Sequence, residues 1–207
     1  PTCVWPSAPP SNVAPSIPPH RTAFVTGASA GLGRAFVRML LADGLKVWGT
    51  ARDAARLAEF SGASGFTAVE LDLGSPDQAI AAFERSDRES GGFDVVINNA
   101  GYGVFAPFVK VDFGIWAAQI EGMLTTTARI AQAALQSMST RGHGVLVNVS
   151  SLASEFPLPF MAGYNMAKAG LSALSESLMI ETAGTGVTVI DFRPGDHRTG
   201  FNHTMQK

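Results

Sequence analysis

The sequence predicts an α/β fold, a doubly wound parallel β-sheet with helices on both faces. Two observations carry that expectation. Short runs of β-formers alternate with segments of helical spacing about six times along the chain, the signature of a parallel sheet covered by helices. The candidate strands are also continuous apolar runs, VLVNV among them, as burial on both faces requires.

Each element has its own warrant. Residues 22–26 (TAFVT) form a short apolar run rich in β-formers. From Gly31 to Asp43, Leu32, Phe36, Met39 and Leu40 recur at helical spacing, and Gly44 stops the helix. Residues 46–50 (KVWGT) and 66–71 read as the second and third strands. A helix over 77–89 is opened by Ser75 as N-cap and Pro76 as first helical residue. Residues 94–97 are a buried strand, and one long helix is expected over about 113–139. A strand at 144–149, a helix over about 161–182 and a strand at 187–192 complete the pattern. Trp48 and Trp116 are expected in the packing, and His143, in a Gly-flanked turn, in solvent.

Composition bounds the function. The chain has 207 residues, 46% hydrophobic and only 15% charged, enough to bury a sizeable core. An average soluble chain is about a quarter charged. Fifteen basic residues against 17 acidic give a net charge of −2, so there is no basic excess for nucleic acid. One cysteine, Cys3, excludes a disulfide within the chain and a zinc site built on cysteines. The four histidines show no close ligand spacing, so no metal is expected. No apolar run approaches the roughly 18 residues of a membrane span, and the start lacks a signal-peptide pattern. These bounds favour a cytoplasmic, reducing setting and no membrane partner. Seven of the 12 prolines lie in residues 1–19, so residues 1–20 read as a Pro-rich extended tail and the globular domain as 21–207.

The turn after the first strand is TGASAGLG, with Gly27, Gly31 and Gly33 at GxxxGxG spacing. Between a strand and a helix, such a turn lets backbone N–H groups approach a pyrophosphate, with the helix N-terminus adding positive potential. Gly27 permits the tight turn, Gly31 the close approach, and Gly33 the tight packing of helix on strand. The second strand ends Thr50-Ala51-Arg52. A carboxylate at that edge would bind a ribose 2′-hydroxyl, whereas arginine accommodates a 2′-phosphate. Ala51 offers no carboxylate and Arg52 offers the cation, which favours NADP(H) over NAD; Asp53 is better placed to cap the next helix.

Tyr164 and Lys168 are four residues apart on a predicted helix and share a face. An ammonium near a phenol favours the phenolate, making tyrosine a usable acid–base near neutral pH. Ser151 lies 13 residues earlier, just past the C-terminal end of a strand, the edge where open α/β sheets bind ligands.

Five segments, TGASAGLG, NNAG (98–101), NVSS (148–151), YNMAK (164–168) and PGDHRT (194–199), stand in one order and spacing. Over residues 21–201 the chain resembles the short-chain dehydrogenase/reductase family, whose fold is Rossmann-like. The resemblance implies that Tyr164 is the catalytic acid–base, that Lys168 binds the nicotinamide ribose and lowers the tyrosine pKa, and that Ser151 orients the substrate. It implies a cofactor cleft built by Gly27, Ser29, Ala30, Gly31, Leu32 and Gly33. Asp72 and Leu73 would lie beside the adenine, and Asn99, Ala100 and Gly101 along the cleft. Pro194, Gly195, His197 and Thr199 would lie at the nicotinamide. Asn98 and Asn99 are equally suited to tying neighbouring strands together, and Tyr102 is as readily a wall of the cleft as a catalyst.

Two departures from the family pattern stand out. Met123 occupies the position of an asparagine that, in the family, holds a proton-relay water; a thioether cannot replace those hydrogen bonds. Family members also continue beyond PGxxxT with a substrate lid and a last edge strand, which this sequence, ending at Lys207, is expected to lack. The resemblance implies an NADP-dependent oxidoreductase that moves hydride between nicotinamide and a carbonyl or alcohol substrate, a homo-oligomer through its long helices. The alternatives are a dinucleotide-binding sensor or scaffold with little turnover, and a lyase or epimerase on the same fold.

Overall fold

The structure is a computed structural model and describes residues 20–196. The expectations for residues 1–19 and for His197 and Thr199 lie outside the described residues. Six strands, β1 (Thr22–Val25), β2 (Lys46–Ala51), β3 (Phe66–Glu70), β4 (Val95–Asn98), β5 (Gly144–Val149) and β6 (Val187–Phe192), form one sheet in the order β3-β2-β1-β4-β5-β6. Every pairing is parallel, as in Ala23 opposite Val47 and Val95. The helices are α1 (Gly31–Ala42), α2 (Pro76–Ser90), α3 (Phe113–Ile120), α4 (Thr127–Arg141) and α5 (Ala162–Glu181). The chain order reverses between β1 and β4, and the crevice at such a switch point is where doubly wound sheets take ligands.

Strand alternation sends successive side chains to opposite faces and divides the core. On one face Phe24, Val96 and Leu146 pack with Phe83 of α2 and with Ile130 and Met138 of α4. Phe24 meets Phe83 edge-on at 5.1 Å and Phe93 at 5.2 Å. On the other face Ala23, Val25, Val47 and Ile97 pack against Val37 and Leu40 of α1. Burying side chains of this size stabilises by about 1.5–3 kcal/mol each relative to exposure.

Local chemistry sets the ends of the elements. Gly44, at φ +82°, turns the chain out of α1. Gly91 closes α2 in the left-handed conformation, and Gly92 donates back to the Asp87 carbonyl at 2.8 Å. Asp53 accepts from Ala55 N–H at 2.9 Å and caps a 3₁₀ segment, Ala54–Phe60, that no helical period announces.

The long helix expected over 113–139 is interrupted. Between α3 and α4 the chain widens into a π-helical segment, Glu121–Thr126. Gly122 lies in this segment, and its carbonyl accepts from the hydroxyl of Thr127, five residues on, at 3.2 Å. Such π-bulges are frequent at functional sites. His143 differs from expectation too. It is half-buried, 3.3 Å from Asp94, which also takes Arg141 at 3.1 Å and the Arg21 N–H at 2.7 Å. Burial raises the Asp94 carboxyl, but the Arg21 and Thr22 N–H groups and the Arg141 guanidinium together outweigh it and hold it below its ordinary range.

Candidate active site

At the C-terminal edge of the sheet, above the switch point, a cleft of about 930 Å³ opens. Its two ends come from different parts of the chain. One is the turn between β1 and α1 with the ends of β2 and β3; the other is the end of β5, the start of α5 and the chain after β6.

The glycine turn is built for close backbone approach. Gly27 at φ +68° and Gly31 at φ +54° take conformations that side chains disfavour. A Cβ on Gly33 would stand 2.2 Å from the Gly27 carbonyl oxygen, so only glycine lets α1 come this near β1. Thr50, unmarked by any motif, supports the turn: its carbonyl accepts Ala28 N–H at 2.8 Å and its hydroxyl Gly27 N–H at 3.3 Å. The N-cap of α1 is Ala30, which provides no side-chain cap, and the first turn carries no acid. Leading N–H groups of a helix have no intrahelical acceptor, and here Ser29, Ala30, Gly31 and Leu32 line the cleft. An uncapped, acid-free helix start behind a glycine cradle fits the pyrophosphate of a dinucleotide.

Farther along this end, Arg52 lines the cleft, is exposed, and is joined by Arg56, which sequence reading missed. Position 51 is the buried Ala51, so no carboxylate projects there. Asp72, Leu73 and Gly74 line the cleft as well, and the Asp72 carboxylate accepts Gly74 N–H at 3.0 Å.

Asn98 and Asn99 do tie strands together. Asn98 donates to Asn148 at 2.9 Å across β4 and β5, and Asn148 donates on to Ser175 at 2.9 Å. Asn99 donates to the carbonyls of Thr26 at 2.9 Å and Gly27 at 3.3 Å, so it fixes the turn from below. Asn99, Ala100, Gly101 and Tyr102 then line the cleft. Burial pushes the Tyr102 phenol up.

At the other end Ser151, Tyr164 and Lys168 converge. Ser151 starts a 3₁₀ turn and accepts Ala153 N–H at 3.1 Å, which fixes its hydroxyl. That hydroxyl also hydrogen-bonds Tyr164. Lys168 is buried, donates to the Val149 carbonyl at 2.6 Å, and lies 5.9 Å from the centre of the Tyr164 ring. Burial lowers its pKa to about 8, against which Asp191 acts. The expected depression of the tyrosine pKa is not met. Burial pushes the Tyr164 phenol up, and the Ser151 hydrogen bond only partly offsets it. Pro194 and Gly195 line this end, and the Pro194 carbonyl accepts Leu152 N–H at 3.1 Å.

Met123, from the π segment, is 1% exposed. Its sulfur accepts the Tyr102 N–H at 3.5 Å. A Cβ placed on Gly101 would lie 3.2 Å from the Met123 methyl and 3.7 Å from Lys168 Nζ, so the thioether and the ammonium share one neighbourhood. Leu152, Ala153, Phe156, Leu158 and Met161 form an apolar wall beside Tyr164. At its rim Phe160, at φ +64°, meets the Phe105 ring at 5.5 Å, and its carbonyl accepts Ala106 N–H at 2.9 Å.

Comparison with known proteins agrees with this arrangement. The family description "short chain dehydrogenase" matches residues 21–207. An uncharacterized oxidoreductase of Myxococcus xanthus is 37% identical over 181 residues, covering 85% of this chain and 72% of that protein. The 3-oxoacyl-[acyl-carrier-protein] reductase FabG of Escherichia coli is 33% identical over 188 residues, covering 89% and 77%. A crystal structure of a short-chain dehydrogenase from Streptomyces avermitilis superposes with a TM-score of 0.83 at 30% identity, covering 91% of this chain and 70% of that one. With the parallel sheet, the glycine cradle and the matched span all in agreement, the chain belongs to the short-chain dehydrogenase family of oxidoreductases, which work with a nicotinamide dinucleotide.

Proposed function

We propose that the protein is an NADP-dependent carbonyl reductase in which Tyr164 is the proton donor. The observation that carries this reading is the meeting of Ser151, Tyr164 and Lys168 in the cleft that begins at the glycine turn. NADPH, when bound, supplies hydride from C4 of its nicotinamide to a carbonyl carbon. The chain supplies the rest. The Ser151 and Tyr164 hydroxyls hold the carbonyl oxygen, and Tyr164 donates the proton that oxygen needs as negative charge develops. Lys168 holds the nicotinamide ribose and offsets the charge left on the phenolate. A phenol kept neutral by burial is a donor at neutral pH, which suits reduction better than oxidation. The apolar wall from Leu152 to Met161 suits an uncharged ketone with apolar substituents.

Cofactor choice rests on Arg52 and Arg56 in the absence of a carboxylate at position 51. A charge-assisted contact to a 2′-phosphate is worth about 1.5–3 kcal/mol, roughly tenfold or more in affinity. Fluorescence titration is therefore expected to show tighter binding of NADPH than of NADH, and Arg52→Ala to remove most of the difference. Equal affinities in the unsubstituted protein would contradict the assignment.

Met123 favours a second reading, a dinucleotide-binding sensor with slow turnover, because a thioether beside Lys168 holds no relay water. Met123→Asn is expected to raise kcat while lowering Tm, since an amide replaces a buried apolar group. A lower Tm with unchanged kcat would leave Met123 as a packing residue.

A further inference from the structure

Behind Lys168 lies a second charged cluster, which meets the family motifs only at Ser150. Asp191, on β6, has a side chain only 3% exposed. Its carboxylate accepts from Ser172 on α5 at 2.6 Å, from Arg193 Nε at 2.6 Å, and from Ser150 at the end of β5. The Arg193 guanidinium reaches two further carboxylates, Glu155 beyond the Ser151 turn and Glu176 on α5. One arginine thus joins the end of β6, the loop beside the cleft and the helix that carries Tyr164 and Lys168.

We propose that Asp191 and Arg193 are a positioning pair for Lys168: the buried carboxylate sets a negative charge within electrostatic reach of the ammonium, and the guanidinium meters that charge. A role for the pair in turnover rests on the reductase reading; the electrostatic link does not. Geometry brings the two together: Asp191 takes Ser172, one helical turn beyond Lys168 on α5, and Ser150, the residue after the Val149 whose carbonyl Lys168 holds. A carboxylate with three donors is fixed in place, and its bonds to Ser150, Ser172 and Arg193 hold its pKa below the ordinary range despite burial. It is therefore ionised wherever Lys168 titrates, and its charge opposes the burial that pulls Lys168 down. The Val149 carbonyl, Gly101 and the Met123 thioether also lie near Lys168, and none of them titrates. Tyr164, one turn away on the same helix, is an ionisable neighbour, its ring centre 5.9 Å from the ammonium.

The test needs neither substrate nor dinucleotide, so its outcome is separable from that of the reductase reading. The chain has lysines only at 46, 110, 168 and 207, so ¹³Cε-lysine labelling gives a readable NMR titration, with Lys168→Met assigning the resonance. Asp191→Asn is expected to lower the Lys168 midpoint by about one pH unit. Arg193→Met, which bares the carboxylate, is expected to raise it. Opposite shifts are a result that loosened packing would not produce. Coincident midpoints in all three proteins, or shifts in the same direction, would overturn the proposal. Where Asp191→Asn does not fold, Arg193→Met decides alone: an upward shift sustains the pair, and an unchanged or lowered midpoint overturns it.

Discussion

Tyr164→Phe is expected to cut NADPH-dependent ketone reduction by about 10²–10⁴-fold, the usual contribution of general acid–base catalysis. Phenylalanine keeps the ring, and the dinucleotide is held mainly at the glycine turn, so NADPH affinity is expected to survive. The pH profile gives a second reading of the same residue. Burial raises the Tyr164 pKa from 10.0, and the Ser151 hydroxyl partly offsets this. The phenol is then a donor throughout the neutral range, and the rate limb due to Tyr164 falls only at strongly alkaline pH. Ser151→Ala removes the offsetting bond and is expected to push that limb higher still. Near-normal turnover in Tyr164→Phe, measured by loss of NADPH absorbance, would remove Tyr164 from the chemistry.

Lys168→Met is expected to lose both turnover and cofactor affinity, yet to gain stability at neutral pH. The pKa is lowered from the ordinary lysine value of 10.5 to about 8 in the fold, because the ammonium is buried. The unfolded chain therefore binds that proton more tightly. The penalty on the folded protein is complete below about pH 8 and fades as pH rises towards 10.5, where neither state holds the proton. Its ceiling is on the order of 3 kcal/mol, less the cost of leaving the Val149 carbonyl without its donor. Thermal melts across pH should show the advantage of Lys168→Met largest below pH 8 and shrinking above it. A difference in Tm that does not vary with pH would mean that burial does not penalise the ammonium.

Much of this arrangement can be read from the chain because local rules and tertiary packing agree. The strand runs, the Pro76 start of α2 and the glycine turn between β1 and α1 each state their own geometry, and all six strands fall within a residue or so of expectation. Ser151, Tyr164 and Lys168 are legible because four-residue helical spacing and a strand end place them at one edge. What stays hidden depends on contacts distant in sequence. The π segment at Glu121–Thr126 keeps a helical apolar period, so nothing in the local pattern announces the widening. His143 reads as solvated because Asp94 is 49 residues away. The raised Tyr164 pKa is invisible too, since helical spacing brings the lysine near but says nothing of how far burial outweighs it. Arg56 sits in a 3₁₀ turn with no motif. Asp191 lies in a strand whose pattern speaks only of burial, and Arg193 just past its end.

Whether Tyr164 protonates a carbonyl as NADPH gives up hydride is decided by mixing the purified protein with a panel of uncharged ketones with apolar substituents. NADPH absorbance is followed over time, with NADH run in parallel. The expected result is NADPH consumption that depends on ketone, is slower with NADH, and is abolished by Tyr164→Phe. NADPH bound firmly but left unconsumed across the panel would contradict the reductase and favour the sensor.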